Sequence, residues 1–121
     1  MHVLNKSQEK IVAALQRLAA LKRQPVSYSE LVILTDLGLN VMEAHHRYML
    51  STWLGEIFEN NHNAKEPILC TLVVQKQSGM PGKGYFKMVD QLGRRSAGES
   101  DVEVFMRELE ALRNYYAPKA A

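Results

Sequence analysis

The chain has 121 residues, 46% hydrophobic and 23% charged, with a formal net charge of +2 at neutral pH. That length suits one domain, residues 1–121, with a core of its own, and so small a charge does not demand a nucleic-acid partner. A single cysteine, Cys70, excludes an intrachain disulfide and a cysteine-rich zinc site, and there is no apolar run of about 20 residues to cross a membrane.

Ser7 to Leu21 reads as a helix, with Ile11, Leu15 and Leu18 on one face and Ala14 beside them. Asn5 or Ser7 is its cap. The polar face is basic (Lys6, Lys10, Arg17, Lys22, Arg23) and is either solvated or turned to phosphate. Pro25 stops this helix. Ser27-Tyr28-Ser29-Glu30 then has the form of a capping box, in which the serine accepts from an amide that the helix leaves unpaired and the glutamate reaches back. It predicts a short helix from Tyr28 to near Gly38. Asn40-Val41-Met42-Glu43 allows the same reciprocal capping and predicts the longest helix, about Val41 to Glu59.

On that helix Met42, His46, Met49, Leu50, Trp53 and Ile57 form the expected apolar stripe. His46 within it reads as a packed histidine. His45 and His46 diverge around the helix and cannot share one metal, so no metal site is predicted. The opposite face carries Arg47, Tyr48, Ser51, Thr52 and Gly55, with almost no charge. An exposed helix face normally carries Lys and Glu; hydroxyls and a glycine beside an arginine suit the close approach of a DNA groove, of another protein chain, or of a helix of the same domain.

Ile68 to Val74 is a nearly unbroken apolar run and reads as a buried strand, with Cys70 an inert thiol inside it. Ser78 to Gly84 supplies three glycines and a proline, the composition of a sharp loop. Tyr85 to Val89 follows as a returning strand or as one or two helical turns. The strand reading makes a β-hairpin, a wing. The glycine loop 79–84 lacks the lysine and hydroxyl of a phosphate-binding P-loop, and whether its amides take an anion stays open. Residues 96–121 form a hydrophilic linker and a last helix opened by a third capping box, Ser100-Asp101-Val102-Glu103. Val102, Phe105, Leu109, Leu112 and Tyr116 make a short heptad seam, to be packed on the domain, on the first helix, or on a second copy in a homodimer. No catalytic constellation and no cofactor motif is present, and without a signal peptide the expected location is the cytoplasm.

The order helix, capped short helix, long helix, strand, Gly/Pro loop resembles a winged helix-turn-helix. The segment from Pro25 to Phe86 is loosely similar to the DNA-binding half of the alkylguanine alkyltransferase and alkyltransferase-like family. Val26 to Leu31, Gly38, Arg47, Leu54, Pro67 and the Val73-Val74 pair carry the likeness. The resemblance implies that Tyr28 opens the second helix and that Arg47 on the third enters a minor groove. The family's Pro-Cys-His-Arg active-site motif is absent, since Thr71 and Leu72 follow Cys70, and the spacing from Tyr28 to Arg47 is longer than the family's.

The expectation is therefore an α+β, mainly helical domain, winged helix-like, with one small β-hairpin and a C-terminal helix. Its expected function is non-enzymatic binding of duplex DNA through Tyr28, Arg47, Tyr48, Ser51, Thr52, Lys76, Lys83, Arg94 and Arg95. The alternative is an accessory or immunity-type module that docks a protein partner through the same helix face and the C-terminal helix.

Overall fold

A computed structural model describes residues 1–118. The protein is α+β and mainly helical: α1 (Lys6–Ala20), β1 (Val26–Ser27), α2 (Tyr28–Thr35), α3 (Ala44–Asn63), a 3₁₀ turn (Leu69–Leu72), β2 (Val73–Val74), α4 (Lys83–Gln91) and α5 (Asp101–Tyr116). Every element contributes to one core. Its largest fully buried side chains include Phe58, Ile11, Leu15, Leu31, Ile57, Ile68, Leu69, Leu72 and Leu112.

Three of the helices begin at reciprocal caps. Asn5 and Gln8 cap α1, Ser27 and Glu30 cap α2, and Ser100 and Glu103 cap α5. Each pair satisfies two backbone donors that the first turn leaves unpaired. Of the three expected boxes, the one at Asn40 does not form. α3 starts at Ala44 with Glu43 before it and no side-chain cap. Asn40 instead accepts from the Met42 amide, and its own amide donates to His46 Nδ1 at 2.8 Å. His46 is thus a fastener for the 37–43 loop, not a core residue. The buried stripe of α3 is correspondingly shifted to Leu50, Leu54, Ile57, Phe58 and Asn61, and Met42 is 81% exposed.

The expected β-hairpin is absent. β2 pairs with β1 in parallel, Val26 with Val73 and Ser27 with Val74, so the two strands are the ends of a long crossover and not neighbours across a turn. The apolar run is buried as expected, but Ile68 to Leu72 winds through a 3₁₀ turn and only Val73 and Val74 are strand. β1 is limited to two residues between Pro25 and the first turn of α2, and it offers nothing longer to pair with. Tyr85 to Val89 lies in α4. A strand there would put Tyr85, Lys87 and Val89 on one face and carry Lys87 into the core; the helix buries Tyr85 and Val89 one turn apart and leaves Lys87 outside.

α5 packs on α1 and on the 3₁₀ turn. Phe105, Leu109 and Leu112 of the heptad seam are buried there, joined by Val104 and Glu108, whereas Val102 is exposed. The seam is spent inside its own subunit and does not supply a dimer surface.

Candidate nucleic-acid interface

The loop after β2 is closed on itself. The Gln75 amide donates to the Met80 carbonyl, the Gly79 amide to the Gln75 carbonyl, and the Met80 amide to Ser78 Oγ. Gly79 holds φ +69°, a left-handed value that favours glycine. The loop then drops into the protein at Pro81 and Gly82, both buried, and α4 starts at Lys83. Gly82 sits against the Tyr28 ring: a Cβ on it would lie 3.1 Å from the Tyr28 hydroxyl. Burial raises the Tyr28 pKa, and the nearby Gly82 backbone acts the other way. This contact ties the start of α2 to the start of α4.

Between these two helix starts and α3 lies a cleft of about 970 Å³. Leu54, Phe58, Val73 and Tyr85 form its buried floor, and Tyr28 stands half-buried at one wall. Arg47, Lys76, Lys83 and Lys87 are exposed around it, interspersed with Ser29, Ser51, Gln75 and Gln77. Among the described residues no aspartate or glutamate lines the cleft. Among the described residues none of those four cations is in an ion pair. Arg47 does give one guanidinium nitrogen to the Val41 carbonyl at 2.9 Å, which sets its position at the cleft mouth. The first turn of α4 adds the partial positive charge of a helix start.

No protein-family model, curated protein or solved structure matches the chain.

Of the residues expected at a binding surface, the structure brings Tyr28, Arg47, Ser51, Lys76 and Lys83 into this one cleft. Tyr48 and Thr52 are exposed on α3, but one step around the helix from the cleft wall. Arg94 and Arg95 are corrections: they are not open linker cations. Arg94 makes a two-pronged pair with Glu108, both bonds 3.0 Å, and also meets His62; the Glu108 side chain is 1% exposed. Arg95 bridges Asp90 at 2.8 Å and Asp101 at 2.6 Å and lies over the Phe86 ring. Arg107 completes this network by pairing with Glu99, which it holds down to a pKa of about 2. The charges in the 94–108 region hold α4 to α5.

Lys87 was missed. Its signal is the four-residue spacing from Lys83, which means a shared face only once Tyr85 to Val89 is read as helix. Cys70 borders the cleft but is no nucleophile. Burial pushes its thiol up to about 12, and the sulfur donates to the Leu54 carbonyl. Among the described residues no group of three histidines, cysteines or carboxylates is placed to hold a metal, and no helix is long and apolar enough to cross a membrane.

Proposed function

We propose that the protein binds DNA, without catalysis, through the cleft between α2, α3 and α4. One observation carries this reading: four cations and no acid border a single concavity on a chain whose net charge is only +2. Charge of one sign, gathered around a recess that also offers serine hydroxyls and glutamine amides, suits a phosphate backbone. The likeness to a helix-turn-helix fits here as part of the proposal. Tyr28 and Arg47, the two residues that the alkyltransferase-like resemblance singles out, share the cleft. The closed loop 75–82 takes the place given to a wing and lifts Lys76 to the rim. The inert Cys70 supports binding over thiol chemistry.

The test is a titration of labelled DNA across a salt series. If all four cations meet phosphates, the logarithm of the association constant falls with the logarithm of salt at a slope of about −3.6 for duplex DNA or about −2.8 for a single strand. Lys83→Ala reduces that slope by about 1 and weakens binding evenly across sequences. Absence of binding at the lowest salt would remove the reading.

A second reading has its own support. Ile33 and Leu34 on α2, Met42 before α3 and Tyr48 on it are 78%, 58%, 81% and 71% exposed. Large apolar side chains left open in this number suit a protein partner docked on the α2–α3 side. Capture of a partner that Tyr48→Ala and Ile33→Asp abolish, with DNA binding absent, would favour it.

A further inference from the structure

We infer that the cleft selects single-stranded over duplex nucleic acid, an inference that rests on the binding reading above and narrows it. The cleft has two chemically different layers. The rim is cationic and exposed, and inside it the half-buried side chains of Tyr28, Val41 and Met88 offer apolar surface over the closed packing of Leu54, Phe58, Val73 and Tyr85. A duplex keeps the faces of its bases inside the stack and shows a protein only phosphates and groove edges. Laid across this cleft it would meet Lys76, Lys83 and Lys87 and leave the apolar surface of Tyr28, Val41 and Met88 in water. An unpaired strand brings phosphate and base face together, and each layer then has its counterpart. The size agrees: about 970 Å³ lies at the upper end of the roughly 300–1,000 Å³ typical of pockets for small organic ligands, enough for a base with its sugar.

The outer face of α3 argues the same way. Tyr48, Ser51 and Thr52 are exposed there, and apart from Arg47 no lysine or arginine lies on the helix. Arg47 itself leans back to the Val41 carbonyl. A duplex that received α3 in a groove would find almost no positive charge beside it. The cations stand across the cleft, on the 75–82 loop and α4, where a strand threaded between them and α3 meets them from within.

Ser51 offers a way to separate the layers. It is exposed, it lines the cleft, and a Cβ on Gly84 of the facing helix would lie 3.9 Å from its hydroxyl, so the walls are close at that point. Ser51→Phe puts a ring into the gap without changing charge. The experiment compares an oligo-dT single strand with a hairpin duplex of matched phosphate count, by fluorescence anisotropy at one salt concentration, for the wild type, Ser51→Phe and Lys83→Ala. The expected result is single-strand binding tighter by roughly tenfold or more, the scale of one stacked base. Ser51→Phe should erase that preference by weakening single-strand binding about tenfold more than duplex binding, with the urea midpoint nearly unchanged because Ser51 is exposed, while Lys83→Ala weakens both ligands. Equal or tighter binding of the duplex, still weakened by Lys83→Ala, overturns this inference and leaves the binding reading intact. A preference that survives Ser51→Phe overturns the use of the apolar surface inside the cleft. No binding of either ligand overturns both readings.

Discussion

Two glycines at the cleft show how much a single methyl group decides. Gly55 sits in the middle of α3, and a Cβ there meets nothing within 4 Å. Gly82 is the cap of α4, with the Tyr28 hydroxyl 3.1 Å from where its Cβ would go. Gly55→Ala is therefore expected to stabilise the protein, by up to about 1 kcal/mol, because alanine loses less backbone freedom in a helix. Gly82→Ala is expected to destabilise it by about 1–2 kcal/mol, through the forced shift of Tyr28 and a poorer cap. Urea unfolding of the two variants reads both signs in one experiment. If Gly82→Ala were neutral, the Tyr28 contact would not be what holds α2 to α4, and the cleft would have lost one of its walls.

At the scale of the elements, the ends of helices were more legible than the strands between them. Ser27 with Glu30 and Ser100 with Glu103 announce their helices because capping is local chemistry, complete within four residues. Asn40 carries the same pattern and fails, because His46 reaches back and takes the Asn40 amide, a contact between loop and helix that spacing alone does not show. The Ile68–Val74 run was legible as buried but not as a 3₁₀ turn, since a fully apolar stretch has no periodicity to choose by. Tyr28, Arg47 and Ser51 were legible as surface candidates, but Arg94 was not legible as core, because its partner Glu108 stands 14 residues away on another element. Arg94→Met leaves the Glu108 carboxylate, 1% exposed, with Arg107 as its remaining cation, and the cost is expected near 3 kcal/mol, the lower end of the range for breaking a buried pair. DNA binding by the folded fraction should keep its salt slope, since Arg94 does not line the cleft. A changed slope would return Arg94 to the binding surface.

For the whole molecule, the buried groups beneath the cleft set how stability responds to alkali. Cys70 ionises near 9 when solvated and only at about 12 in the folded protein, because burial disfavours the thiolate. Between those values the unfolded chain has released a proton that the native state still holds, so unfolding is favoured as pH rises, and the contribution runs downward from pH 9 to pH 12. By pH 10.5 the loss from this one group is on the order of 2 kcal/mol, a sizeable part of the roughly 5–15 kcal/mol that holds a domain together. Tyr85, buried and hydrogen-bonded to Thr71, is shifted upward by the same cause and acts in the same direction. Cys70→Ala separates the two. At pH 8 the variant should be the less stable protein, having lost a packed sulfur and its bond to Leu54. Its stability should then fall less steeply with pH than that of the wild type, and the gap between them should narrow toward pH 10.5 in parallel urea titrations. Parallel curves would mean that the thiol is open to solvent in the native state, and the floor of the cleft would then be wetter than its packing indicates.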